Sequence, residues 1–134
     1  MKKYRLELTD EQAKITLKAL ELYSRLRNGQ WTELVDLCLD LNDDDYARKK
    51  FDLLIPELMH LRKQVYPELP PQWGTSYGIG KFEDADLAWE IHEVLRNRIA
   101  WAEHPEGGAG VDFDAPISFR GNELAECETI SDQN

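Results

Sequence analysis

The chain has 134 residues, 42% of them hydrophobic, enough for one compact domain with a core of its own. Its 26 acidic residues outnumber 16 basic ones, and the net charge of -10 disfavours nonspecific attraction to nucleic acid or an anionic membrane while favouring a basic partner. Met1-Lys2-Lys3 leads into Tyr4-Arg5-Leu6-Glu7 with no apolar run, so a cytoplasmic protein without signal peptide or membrane span is expected.

Tyr4, Leu6 and Leu8 alternate with Arg5 and Glu7, the period-two pattern of a half-buried strand. Thr9-Asp10-Glu11-Gln12 has capping-box spacing and predicts a helix over residues 10–27, closed by Gly29. Its broad apolar stripe, Ala13, Leu17, Leu20 and Tyr23 with Ile15, Ala19, Leu22 and Leu26 alongside, implies burial against several neighbours or a second subunit. Residues 31–41 predict a shorter helix capped by Thr32, with Leu34, Leu37, Cys38 and Leu41 inward. Cys38 is then a core thiol, and neither it nor the distant Cys127 has the spacing of a metal or redox motif. Asn42-Asp43-Asp44-Asp45 resembles a calcium loop in charge only, because the glycine and distal glutamate of an EF-hand are missing. Those carboxylates fit the start of the next helix better.

That third helix is predicted over residues 44–66, kinked at Pro56 or split there into two abutting helices, with Leu53, Leu54, Leu58, Leu61 and Val65 supplying its packing. Glu57 and His60 have the spacing of a di-iron ligand pair, but no second pair exists and a surface Glu-His pair is expected. Residues 67–83 then hold three prolines and three glycines, which exclude a regular element, while Trp73, Tyr77, Ile79 and Phe82 are too apolar for a linker. One reading of this loop is a nucleotide pocket, with Trp73 or Tyr77 stacking on a base and the amides near Gly78 and Gly80 meeting phosphate. Glu83, Asp84 and Asp86 would repel that anion, and an aromatic plug over the helical core is the simpler reading.

The fourth helix, residues 84–104, carries a buried seam of Leu87, Ile91, Leu95, Ile99 and Ala102, with Trp89 nearer its edge. Arg96 and Arg98 are the cations available to an anionic ligand, or to Glu90, Glu93 and Asp112 as internal partners. His104-Pro105-Glu106-Gly107-Gly108 stops the helix. His104 with Asp112 or Asp114 has the makings of an acid-base pair, yet no serine or cysteine nucleophile accompanies it. Val111 and Phe113 alternate with Asp112 and Asp114, Pro116 interrupts, and residues 117–119 and 124–130 read as further strands around a turn at 120–123.

The runs Leu87-Ala88-Trp89-Glu90-Ile91, Ala100-Trp101-Ala102, Pro105-Glu106-Gly107-Gly108 and Val111-Asp112-Phe113-Asp114-x-Pro116 resemble small uncharacterised proteins of tailed bacteriophages and prophages. Leu20-Glu21-Leu22-Tyr23-Ser24-Arg25 and Tyr77-Gly78-Ile79 resemble the same family. The resemblance implies an accessory protein in the cytoplasm of a host bacterium, with no assigned activity or catalytic residues to carry over.

The expected fold is α+β and mostly helical: four helices, the third kinked at Pro56, packed on a small antiparallel sheet from the N-terminal strand and the C-terminal strands. A single domain over residues 1–130 is expected, with 131–134 frayed. The expected function is non-covalent binding of a host bacterial protein, as a host-takeover or anti-defence inhibitor, through Asp43, Asp44, Asp45, Asp84 and Asp86. The alternative is a binder of a nucleotide-like signal using Trp73, Tyr77, Gly78, Gly80, Arg96 and Arg98. No catalytic set, metal or cofactor is expected, and a homo-oligomer is open.

Overall fold

The computed structural model describes residues 1–39, 45–72 and 74–130. Four α-helices follow one another: α1 (Asp10–Arg27), α2 (Thr32–Cys38), α3 (Asp45–Val65) and α4 (Glu83–Glu103), with a 3₁₀ turn at Val111–Phe113. Among the described residues there is no strand, so the expected α+β fold with an antiparallel sheet is corrected to an all-helical one. The cause lies in where the backbone groups go. A ladder needs the N–H and C=O groups of one extended segment to meet those of another. Here Asn97 of α4 donates to the carbonyls of Asp112 and Asp114 at 3.0 Å each. Glu90 accepts from the Phe119 amide at 2.6 Å, Glu93 from that of Ile117 at 3.4 Å, and Arg98 donates to the Cys127 carbonyl at 3.0 Å. The extended C-terminal chain is held by helix side chains, and residues 1–8 make no backbone-to-backbone bond among the described residues. Tyr4 and Leu6 are accordingly 91% and 76% exposed.

The helix ends follow local rules. Thr9 Oγ1 accepts from the Gln12 amide at 3.2 Å and Gln12 Oε1 from the Thr9 amide at 3.0 Å, the reciprocal capping box. At the other end of α1, the Gln30 amide reaches the Arg25 carbonyl at 2.8 Å and the Gly29 amide that of Leu26 at 3.0 Å, a Schellman closure. Gly29 has φ 95°, and a Cβ there would lie 2.5 Å from Leu69 Cδ1. Two local expectations change. Thr32 is the first residue of α2 instead of its cap, since Trp31 takes that place and donates its indole N–H to the Leu26 carbonyl at 3.1 Å. Cys38 is exposed, so it is no core thiol. In α3, Pro56 lies inside one continuous helix, and the carbonyl deprived of its donor belongs to the exposed Asp52.

The chain forms two compact units, Met1–Glu21 with the chain from Trp89 onward, and Leu22–Ala88. In the second unit α2 packs on α3. Val35, Ala47, Leu69, Ala85 and Ala88 are buried there, and Arg62 is 2% exposed. Leu53, Leu54, Leu61 and Val65, expected to supply packing, are instead exposed by 75%, 38%, 53% and 57%. Ala47 and Arg62 are the buried residues of α3, and Arg62 is covered by Gly29 and the loop at Pro70 and Thr75. In the first unit the most buried side chains are those of Glu90, His92 and Ala100 on α4. No helix among the described residues is long and apolar enough to cross a membrane.

Candidate functional site

The unit formed by residues 22–88 places Tyr77, Gly78, Gly80, Asp45, Asp84 and Asp86. Trp73, Asp43 and Asp44 lie outside the described residues. Tyr77 meets Tyr66 and Phe82 edge-on, ring centres 5.5 Å away in both cases, and Arg27 lies 3.7 Å over the Phe82 ring. Burial, and then the neighbouring Glu68 carboxylate, push the Tyr77 hydroxyl up to about 12. The same hydroxyl holds the Glu68 carboxyl below its ordinary range. Beneath the loop, the Arg62 guanidinium donates to the carbonyls of Gly29 (3.1 Å), Thr75 (2.8 Å) and Pro70 (2.7 Å) and to Thr75 Oγ1 (2.9 Å). Desolvation lowers its pKa. These contacts make the loop a plug whose polar backbone is turned inward onto a buried cation.

The Gly80 amide, expected to face phosphate, donates to both oxygens of Asp86 at 3.0 and 3.1 Å. Asp86 is 2% exposed, so this carboxylate serves the loop and is not displayed at the surface. Asp84 accepts from the Tyr23 hydroxyl at 2.7 Å and from Arg27 Nε at 3.2 Å. Those two groups, Tyr23 first, hold its carboxyl below the usual range. Asp45 is exposed at the start of α3.

Arg96 and Arg98 belong to the other unit, with Trp89 and the C-terminal chain. Arg98 is spent on the Cys127 carbonyl. Arg96 lines a cleft of about 350 Å³ with Trp89, Glu93, Val111, Asp114, Ala115, Pro116 and Ile117. That volume is at the small end of ligand sites. Trp89 stacks on the buried His92 ring at 4.5 Å, and the Arg96 guanidinium sits 6.0 Å over Trp89. Arg96 Nε lies 3.4 Å from Asp112 Oδ1, an ion pair without hydrogen-bond geometry. The far wall is positioned by Asn97, which holds the carbonyls of Asp112 in the middle of the 3₁₀ turn and of Asp114 just after it, and by Trp101, edge-on to Phe113 at 5.3 Å. Gly108 is required by that packing, because a Cβ there would lie 2.7 Å from the Phe113 ring.

The acid-base pair of His104 with Asp112 or Asp114, weighed and set aside on the sequence, is not among the contacts of the described residues. His104 Nδ1 faces Glu106 Oε1 at 3.3 Å, at an exposed position. Among the described residues no group of three or more histidine, cysteine or acidic side chains is placed to hold a metal ion. Trp89 was placed at the seam's edge by its helical spacing, and it does face the cleft. The roles of Glu93, Asn97 and Pro116 had no sequence signal, since each depends on where the C-terminal chain returns. In comparisons with protein-family models, curated proteins and solved structures, nothing matched this chain.

Proposed function

We propose that this chain acts by binding, without chemistry, and that it holds a basic partner protein through the acidic C-terminal chain beside the α4 cleft. The observation that carries this reading is the charge of residues 103–128. Glu103, Glu106, Asp112, Asp114, Glu123, Glu126 and Glu128 are all exposed there, against the single guanidinium of Arg120. Lys14 meets Glu103 at 2.8 Å, Lys3 meets Glu123 at 2.6 Å, and Arg96 meets Asp112. Asp114, Glu126 and Glu128 meet no cation within ion-pair distance among the described residues, which leaves them to an incoming lysine or arginine. With the resemblance to tailed-phage proteins, the partner is a protein of the host bacterium, bound in its cytoplasm as in host takeover or anti-defence inhibition. Asp84 and Asp86 take no part, being engaged inside their own unit.

A second reading rests on the cleft itself: a small nucleoside-like ligand stacked on Trp89 with Arg96 as its polar contact. One experiment separates the two. The gently purified chain is weighed intact by native mass spectrometry, then used to capture protein from bacterial lysate at low and high salt. The proposal expects a discrete captured protein that salt releases and that an Asp114→Asn, Glu126→Gln, Glu128→Gln variant no longer retains. Capture unchanged in that variant refutes it, and a retained mass of nucleoside size, lost on Trp89→Ala, establishes the second reading instead.

A further inference from the structure

On α3, Tyr46, Leu53, Leu54, Leu61 and Val65 are exposed by 70%, 75%, 38%, 53% and 57%, whereas Ala47 and Arg62 face inward. At the helical spacing the five fall within a sector of about 120°. Five large apolar side chains so exposed on one helix are more than scattered surface leucines explain, and an interface core is where such residues are ordinarily covered. Two charges, Lys50 and Glu57, lie in the same sector. Their order is symmetric. Lys50 precedes the Leu53-Leu54 pair by the same interval at which Glu57 follows it, and Tyr46 and Leu61 stand in the same relation further out.

We infer that α3 pairs antiparallel with α3 of a second copy of this chain, about a two-fold axis passing between Leu53 and Leu54. In that register Leu53 of each copy meets Leu54 of the other, Lys50 meets Glu57, and Tyr46 covers Leu61. A two-fold interface must be self-complementary, and this stripe is so in both shape class and charge. Parallel pairing is disfavoured, because it sets Lys50 against Lys50 and Glu57 against Glu57. Within one helix the two charges stand seven residues apart, ~10 Å, too far to be partners of each other. Lys50 instead lies 5.4 Å over the Tyr46 ring, at one end of the stripe. The inference is independent of the partner-binding reading, which uses the other unit.

The test is sedimentation velocity of the full chain over a range of concentrations, with helicity followed by circular dichroism. The wild type is expected to shift from monomer to dimer mass as concentration rises. Leu53→Glu, an exposed site that leaves helicity unchanged, is expected to give monomer only. Lys50→Glu and Glu57→Lys are each expected to weaken the dimer at least tenfold, and the double reversal to restore it. A wild-type monomer at every concentration, a dimer indifferent to Leu53→Glu, or reversals that fail to rescue each other would overturn the inference.

Discussion

Replacing Arg62 by methionine should unfold the loop of the 22–88 unit before it disturbs any helix. The guanidinium is 2% exposed and serves three carbonyls and a hydroxyl at 2.7 to 3.1 Å, with a weaker contact to the Gln72 carbonyl at 3.4 Å. A hydrogen bond from a charged donor contributes ~1.5–3 kcal/mol, but the partly buried carbonyls of Pro70 and Thr75 regain water once the loop loosens. The Gly29 carbonyl is buried and regains none cheaply. The methionine keeps the apolar stem packed, so a net loss of about 3 kcal/mol is expected, which at this chain length lowers the melting temperature by roughly 10 °C. Urea unfolding measured by circular dichroism gives the loss. Hydrogen exchange locates it, since the Tyr77 amide, bonded to the Asn28 carbonyl at 2.9 Å, should exchange far faster in the variant. Arg62→Lys should recover little, because an ammonium cannot span acceptors arranged for a planar fork. A loss under about 1 kcal/mol, or an unchanged Tyr77 amide, would refute the view that this cation organises the loop.

Two further outcomes test the same unit. Gly29→Ala places a Cβ 2.5 Å from Leu69 Cδ1 at a φ of 95°, so a loss of about 2 kcal/mol in urea is expected from the strained backbone and the displaced leucine together. The Tyr77 hydroxyl is raised from 10.0 to about 12, and a group raised on folding contributes stability below its unfolded value that is lost as pH climbs through the folded one. Stability should therefore fall between pH 10 and about 12, with a late step in phenolate absorbance that is absent from Tyr77→Phe.

Local signals carried the helices. Thr9 and Gln12 announce the start of α1 and Gly29 its end, because capping is settled within six residues of chain. The missing sheet has the opposite cause. Alternation in residues 4–8 says nothing of whether a neighbouring strand or a helix side chain will take the backbone groups, and at Val111–Phe113 the same alternation belongs to a 3₁₀ turn. Asn97, Glu90 and Arg98 took those of the C-terminal chain, and their reach depends on the return path of the chain past α4. Leu53, Leu61 and Cys38 were read as core because apolar residues usually are, yet spacing along one helix does not say which face a neighbour will cover, and all three are exposed. Arg62 was passed over for the converse reason, that a charged residue on a helix is ordinarily solvated. At the candidate site, Arg96 was singled out but joined to the loop residues Trp73 and Tyr77, and Trp89 was placed only at the seam's edge, while Asp114, Ala115 and Pro116 come to the cleft through the turn that Asn97 pins.

Net charge consequently overstates the acidity that a partner meets. Asp86 and Glu90 are each 2% exposed and hold the amides of Gly80 and Phe119, so two of the carboxylates stand in for backbone acceptors that a sheet or turn would otherwise supply. Neutralising either removes the stronger, charged form of that bond and loosens a loop or the C-terminal chain, with any effect on binding arising through the fold. Asp114, Glu126 and Glu128 have no such duty for their carboxylates, and changing them alters the field without touching a backbone contact of the carboxyl group. A loss of partner binding that follows the second set and not the first is electrostatic in origin. The reverse pattern would mean that the partner reads the shape of the C-terminal chain, which the carboxylates of α4 maintain.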